Sequence, residues 1–208
     1  HWFVEFPEVF DRGGFDVVIG NPPYIAKNKI VEYSYKSFRT DDLPDIYAPC
    51  TERAAQITAP DGRMALIIPI SASFSDGFAP LREVLEDRFG SLWVSNFSRN
   101  PAALFSAGLG VRSTIVVGHR GGGSNRLFVT KTHRWYDAYR PVLFETLQYF
   151  ELAGVLRSRH GWIRIPSTDY GRILEKLGDS PGSLASLERP RSGTSSIGFK
   201  QTALYWLS

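Results

Sequence analysis

The sequence predicts an α/β fold, namely the C-terminal half of a doubly wound, Rossmann-like sheet that ends in an antiparallel pair of strands. Three observations support this prediction. Two short, continuously apolar runs at 15–20 and 63–69 are typical of strands buried in a parallel sheet. A segment with helical spacing lies between them, as the crossover between parallel strands requires. A second helical segment and two further strand-like runs then complete the pattern.

The first crossover unit joins the strand FDVVIG at 15–20 to the strand RMALIIP at 63–69. Its helix is predicted at 45–59, and Asp45 is expected to be the N-cap of that helix. The turn sequence PDG at 60–62 introduces the second strand. One face of the predicted helix carries the apolar residues Ile46, Cys50, Ala54 and Ile57.

The second unit begins with a helix predicted at 78–88. The strands SLWVSNF at 91–97 and RSTIVVGHR at 112–120 follow, joined by a loop. Because crossover connections are right-handed, we expect both helices on the same face of the sheet.

The character of the sequence changes after RGGGSN at 120–125, which predicts a boundary between residues 1–122 and residues 123–208. The second region is expected to hold a strand at 126–131, helices near 141–153 and 170–177, and a strand-like run WIRIP at 162–166. A Gly-, Ser- and Pro-rich stretch and an apolar end follow. Since the chain begins at His1 and stops in a strand-like run, we expect it to be part of a longer polypeptide.

Composition restricts the class of protein. The 208 residues are 43% hydrophobic, enough for a buried core. The single cysteine, Cys50, excludes an internal disulfide framework, and the histidines lack metal-ligand spacing, so no metal site is expected. No apolar run reaches membrane-spanning length and no signal peptide is evident, which predicts a cytoplasmic protein without a membrane partner.

Basic residues are concentrated in the second region. Residues 1–125 carry 12 Lys+Arg against 14 Asp+Glu, whereas residues 126–208 carry 12 against 7. Four of these basic residues alternate with aromatic residues: Arg126, Lys131, Arg134 and Arg140. The basic side chains could contact a phosphate backbone, and the aromatic rings could stack on bases. A solvated face over ordinary core aromatics is the alternative.

The stretch NPPY at 21–24 carries the clearest chemistry. The strand at 15–20 must end there because two prolines remove two backbone donors and stiffen the exit. In an open α/β sheet, ligands bind beyond the carboxyl ends of the strands. There, the Asn21 side-chain carbonyl and the Pro22 backbone carbonyl offer two acceptors to one planar amino group, which would free its lone pair for an electrophile. Tyr24 offers a ring on which the base can stack.

With these residues, the chain resembles S-adenosylmethionine-dependent adenine-N6 DNA methyltransferases, especially the methylase part of type IIG restriction–modification enzymes. The resemblance extends from EFPEVF and GGFDVVIGNPPYI through DIYAPCTERAAQITAPDGRMALIIP to ALFSAGLGVRSTIVV. It covers about residues 1–120. It implies the class I methyltransferase fold, with residues 1–122 as the second half of the catalytic domain and 123–208 as the start of a DNA target-recognition region.

The resemblance also implies roles for individual residues. Asn21 and Pro22 would accept hydrogen bonds from the adenine N6 amino group, and Tyr24 would stack on the flipped base. Phe105 matches the second aromatic that packs on the extruded adenine, although by itself it would more often anchor a loop. Pro23 matches the position where the loop borders S-adenosylmethionine.

The main cofactor-binding elements of that family are absent from this sequence. Neither GLG at 108–110 nor GGG at 121–123 follows a strand and opens a helix, and no acidic residue follows a second strand as the family requires. We therefore expect the first half of the sheet upstream in the same polypeptide, and no activity from residues 1–208 alone. Double-stranded DNA is the expected substrate partner.

Two other functions are open at this stage. Enzymes that methylate a protein glutamine amide also use NPPY, because that amide is likewise a planar NH₂ group. A non-catalytic remnant that only binds DNA or a partner subunit is the third possibility.

Overall fold

A computed structural model describes residues 2–30, 36–105, 110–123, 125–152, 157–158 and 161–162, together with the single positions 169, 172 and 176. Most of the predicted helix near 170–177, most of WIRIP and everything after 176 lie outside the described residues. In the described part, no helix has the length and apolar character needed to cross a membrane.

Within the described residues, six strands form one mixed sheet in the order β1-β2-β4-β3-β5-β6. The β1–β2 and β3–β5 pairs are parallel, and the remaining neighbours are antiparallel. The α/β class and the antiparallel pair at 91–97 and 113–119 are confirmed. The strands are β1 (Phe15–Gly20), β2 (Thr58–Pro69), β3 (Ser91–Phe97), β4 (Ser113–His119), β5 (Arg126–His133) and β6 (Phe150–Leu152).

The two predicted crossover helices pack on one face of this sheet. They contact each other directly, since the Arg88 side chain donates from Nε to the Ala55 carbonyl at 3.1 Å. Together with β2, β3 and β4, both helices enclose the main core, which includes Tyr47, Met64 and Leu85. The helices are α1 (Trp2–Glu5), α2 (Pro7–Asp11), α3 (Tyr47–Ile57), α4 (Ser71–Phe74) and α5 (Ala79–Arg88).

The sheet continues across the predicted boundary at 122/123. β5 pairs with β3 and β6 pairs with β5, so residues after the glycine-rich turn extend the same sheet. Farther along, a short pair of strands, β7 (Arg157–Ser158) and β8 (Gly161–Trp162), returns to the helical face. There the buried Trp162 donates to Glu86 Oε1 of α5 at 2.6 Å. Residues assigned to the second region therefore contribute to the main core.

A second, smaller apolar cluster covers the opposite face at one end of β3. It consists of Phe97, Trp135 and Leu143, with Ala102 and Leu104 packed against it. Both Trp135 and Leu143 come from the segment that follows β5. Trp135 precedes the first of two 3₁₀ helices, and Leu143 lies between them; these helices are Asp137–Val142 and Phe144–Thr146.

Several local predictions are wrong. The helix near 141–153 is replaced by 3₁₀ turns and strand β6, because Pro141 interrupts helical hydrogen bonding and Phe150–Leu152 pairs with β5. PDG at 60–62 is a bulge inside β2 rather than a turn, since Phe15 pairs with Thr58 but Val17 with Arg63.

Two predictions about the first crossover helix are also wrong. Asp45 does not cap α3: the N-cap position is Ile46, and no side chain caps the helix. Asp45 instead forms a backbone bridge with Ala26. Cys50 is exposed, whereas the other predicted apolar positions of that helix face are buried.

Candidate active site

The loops that carry the predicted chemistry leave the same edge of the sheet. β1 and β2 run parallel with Gly20 beside Leu66, and β2 ends with Pro69 opposite Ser113, the first residue of β4. β3 ends with Phe97 opposite that same Ser113 and beside His133, the last residue of β5. The segments after β1, β2, β3 and β5 are consequently gathered at one edge, which is where an open α/β sheet binds ligands.

The first of these segments presents its hydrogen-bond acceptors to solvent. Asn21 and Pro23 are exposed and Pro22 is half-buried. Within the described residues, no hydrogen bond occupies the Asn21 side chain or the Pro22 carbonyl. As far as the described residues go, both acceptors predicted from the sequence are therefore available to a ligand.

Tyr24 is anchored below these acceptors. Its hydroxyl donates to the Ile67 carbonyl of β2 at 2.9 Å, and its ring meets that of Tyr47 edge-on, with centroids 6.3 Å apart. Burial raises the pKa of Tyr24 to about 12, although a hydrogen bond with the Ser113 side chain opposes the shift. The neutral phenol thus fixes one edge of the ring against the sheet.

The residues that follow Tyr24 are hydrogen-bonded to the segment that precedes α3. Lys27 N donates to the Pro44 carbonyl at 2.7 Å, and Ile46 N donates to the Ile25 carbonyl at 3.0 Å. Tyr47, the first residue of α3, stacks on Phe78 and places its hydroxyl 3.1 Å from Ser71 Oγ. The sequence analysis did not predict this supporting role of Tyr47. Its position at the start of the predicted crossover helix that follows the NPPY loop was the only signal for it.

A network of buried side-chain hydrogen bonds lies beneath the same edge of the sheet, and the sequence analysis did not predict it. Thr114 Oγ1 donates to Asn96 Oδ1 at 2.8 Å and lies 3.2 Å from Ser73 Oγ. The backbone N–H of Asn96 donates to Thr130 Oγ1 at 3.1 Å. These bonds tie β3, β4, β5 and α4 together where their ends meet.

Phe105 is the last described residue of the segment after β3, and its side chain is 38% exposed. It lies at the same edge as Tyr24. No ring contact joins the two in the part of the chain that the structure describes. An exposed phenylalanine is available to pack on a planar ligand.

The four predicted DNA-binding residues do not form one patch. Arg126 lies at the opposite end of β5, paired in register with Ser91, and forms a bidentate ion pair with Glu151 with both contacts at 2.8 Å. Arg140 is bonded to Asp137 and to backbone carbonyls. Lys131 and Arg134 are exposed toward the end of β5.

The described residues offer hydrogen-bond acceptors for an amino group but no glycine-rich turn for a cofactor. Gly121–Gly123 connects two strands and opens no helix, and Gly108 and Leu109 lie outside the described residues. No glycine-rich turn between a strand and a helix is found in the described part. The residues present therefore do not fit the main contacts that S-adenosylmethionine would need.

Comparison with known proteins identifies relatives of this segment. Residues 1–99 match the family model described as Eco57I restriction-modification methylase. The chain is 28% identical over 122 residues to a putative type II restriction enzyme and methyltransferase, RM.MjaORFECS2P of Methanocaldococcus jannaschii, covering 58% of this chain and 10% of that protein. It is 28% identical over 121 residues to the type II methyltransferase M.PaeR7I of Pseudomonas aeruginosa, covering 56% and 21%. The chain thus spans at most about a fifth of these relatives.

Solved structures share the fold. The type ISP restriction-modification enzyme LlaGI, solved as a nuclease-deletion mutant with a DNA substrate mimic, superposes with a TM-score of 0.61 at 15% identity, covering 81% of this chain and 17% of that one. DrdV in its DNA complex gives a TM-score of 0.55 at 16% identity, covering 77% and 19%. The resemblance to methylases of restriction–modification enzymes is confirmed.

Proposed function

We propose that this chain is the target-binding half of an S-adenosylmethionine-dependent DNA methyltransferase of a restriction–modification system, acting on the N6 amino group of adenine. One observation supports this most directly. Asn21 and the Pro22 carbonyl are acceptors that no described residue occupies; they lie at the carboxyl end of β1, next to the anchored Tyr24 and inside the segment that matches a methylase family.

The proposed chemistry follows from the amino group itself. The lone pair of an exocyclic amine is delocalised into the ring, so the nitrogen is a poor nucleophile. Asn21 Oδ1 and the Pro22 carbonyl would accept its two hydrogens and favour a pyramidal nitrogen. Because the two consecutive prolines keep this stretch of backbone rigid, the acceptors would stabilise the charge that develops in the transition state without having to reorganise.

Base capture is assigned to the two aromatic residues. An enzyme that reacts with a base must extrude it from the duplex at a cost of a few kcal/mol. We assign Tyr24 to stack on the extruded adenine, because its hydroxyl is held by Ile67 and its ring therefore keeps one orientation. Phe105, exposed at the same edge, would pack on the base from another side.

The methyl donor supplies the transferred methyl group, and Pro23, exposed next to the acceptors, would border it. The remaining cofactor contacts would come from the upstream half of the same polypeptide. For this reason we propose that residues 1–208 alone are inactive.

DNA is the proposed partner, and Lys131 and Arg134 are proposed as phosphate contacts because both are exposed near the site edge. Solved neighbours of the same fold include proteins whose structures were determined with DNA. Arg126 is a poorer candidate since its charge is paired with Glu151.

Product analysis tests the proposal. The full polypeptide that contains this chain would be incubated with labelled S-adenosylmethionine and duplex DNA, and the digested nucleosides separated by mass spectrometry. Label in N6-methyladenine is expected. Label only in N4-methylcytosine, or only in a protein glutamine offered in parallel, would contradict the adenine assignment.

A further inference from the structure

The loop that carries Phe105 is held by the segment that follows β5. Ser98 N donates to the His133 carbonyl at 2.8 Å, and Ala102 N donates to the Trp135 carbonyl at 3.0 Å. Ala102 and Leu104 also pack against the buried cluster of Phe97, Trp135 and Leu143. This loop is therefore docked on its neighbour by backbone bonds and by apolar contact.

Arg140 completes this attachment at the end nearest Phe105. Its Nη1 donates to the Leu104 carbonyl at 3.0 Å and its Nη2 donates to the Ala103 carbonyl at 3.1 Å. Asp137 Oδ1 accepts from Nε at 3.0 Å and from Nη2 at 2.6 Å. The guanidinium carbon lies 4.7 Å from the centre of the Trp135 ring.

We propose that Arg140 is a positioning residue that fixes the loop presenting Phe105, and not a contact to the DNA backbone. The inference rests on the proposed function, because it assigns a purpose to the position of Phe105. All three nitrogens of the guanidinium are engaged within the protein, and Asp137 neutralises its charge. Two parallel bonds to consecutive carbonyls immediately before Phe105 restrict where that side chain can lie.

The geometry requires an arginine. A lysine keeps the positive charge that attracts phosphate, but its ammonium is a point donor and cannot form the planar fork that reaches two carbonyls and a carboxylate together. Arg140→Lys therefore separates the two roles. A phosphate contact would largely survive this substitution, whereas the attachment of the loop would not.

The experiment compares four variants of the full polypeptide: Arg140→Lys, Phe105→Ala, Arg134→Ala and Arg112→Lys. Arg112 is an exposed arginine at the same sheet edge, so Arg112→Lys is the matched control. Amide hydrogen exchange at Ala102 reports opening of the loop, and 2-aminopurine fluorescence at the target position reports base capture. DNA affinity is measured over a range of salt concentrations.

In Arg140→Lys, we expect exchange at Ala102 to become faster by about tenfold or more, because bonds of a charged donor are lost. The fluorescence response and kcat should fall as in Phe105→Ala, while DNA affinity and its salt dependence stay at the wild-type values. Arg134→Ala should weaken DNA binding and reduce its salt dependence while exchange at Ala102 stays at the wild-type rate, and Arg112→Lys should resemble wild type.

Two outcomes overturn the inference: unchanged exchange at Ala102 in Arg140→Lys, or faster exchange with wild-type fluorescence and kcat. Asn21→Ala, assayed in parallel, separates this failure from failure of the proposed function. If Asn21→Ala abolishes methyl transfer while Arg140→Lys has no effect, the proposed function stands and only the role of Arg140 is lost.

Discussion

The Tyr24 hydroxyl donates a 2.9 Å hydrogen bond to the backbone carbonyl of Ile67, near the end of the neighbouring strand. This bond ties the exit of β1 to β2 just beyond the two acceptors, Asn21 and Pro22. For the proposed stacking of Tyr24 on an extruded base, such an anchor is an advantage, because the orientation of the ring is set before the base arrives.

Loss of the Asn21 acceptor should abolish turnover and spare binding. In the full polypeptide, we expect Asn21→Ala to lower kcat by about 100-fold or more, as removal of one preorganised hydrogen-bonding group typically does. DNA affinity should stay near wild type because the proposed partner of the side chain is an amino group rather than phosphate. Asn28→Ala, an exposed asparagine in the same segment, is the control. Activity of Asn21→Ala within a few-fold of wild type would contradict the assignment.

Tyr24 should act through its ring first and its hydroxyl second. We expect Tyr24→Ala and Phe105→Ala each to weaken capture of the flipped base by roughly 1–3 kcal/mol, the usual range for base–aromatic stacking. Tyr24→Phe keeps the ring and loses only the bond to Ile67, so a smaller effect is expected. Fluorescence of 2-aminopurine at the target position measures the capture, and a wild-type response in both alanine variants would refute the clamp.

The isolated 208-residue chain should bind S-adenosylmethionine weakly or not at all. The described residues provide acceptors for an amino group but lack the glycine-rich turn that would hold the donor opposite them. Isothermal titration of the purified chain measures this directly. A micromolar, one-to-one isotherm would place the cofactor site within this chain.

The outer edge of β1 should make the isolated chain associate. Among the described strands, β1 pairs only with β2, and the side chains of Val17 and Ile19 are 57% and 76% exposed. Ile19→Lys places a charge on this edge and should shift the chain toward monomer in analytical ultracentrifugation. Val142→Lys changes an exposed valine elsewhere and should have no such effect. Association unchanged by Ile19→Lys would show that the contact lies on another surface.

His133 should make the protein less stable in acid. Burial lowers the pKa of His133 to about 4, with the nearby charge of Lys131 contributing, from an ordinary value near 6.5. Since the unfolded chain binds this proton and the folded one does not, the contribution of the neutral ring is complete above about pH 6.5 and is lost as pH falls toward about 4.

Urea unfolding of the protein at several pH values measures this effect. In His133→Gln, the decline of unfolding free energy between about pH 6.5 and pH 4 should be smaller than in wild type, by at most about 3 kcal/mol. Equal slopes in His133→Gln and wild type would show that His133 does not cause the pH dependence.

The sequence determined most of the alternating architecture. Apolar runs and helical spacing in residues 15–97 identified β1, α3, α5 and β3, because strands and helices place their apolar residues with different periods. The burial that the run at 15–20 predicted is not observed, since β1 pairs only with β2 among the described strands and Val17 and Ile19 are exposed. NPPY identified the candidate acceptors for a similar reason: prolines and a strand end can be recognised locally.

Only the tertiary structure decided how the later segments are used. Pairing of β5 with β3 and of β6 with β5, and the docking of Trp162 on α5, are long-range contacts that no local pattern encodes. The same holds for Arg140. Its place among aromatic residues in the sequence predicted a phosphate contact, but in the structure its guanidinium donates to the Ala103 and Leu104 carbonyls. A charged side chain's partner depends on which chain segments the fold brings within 3 or 4 Å of it, and that distance is set by packing rather than by sequence neighbours.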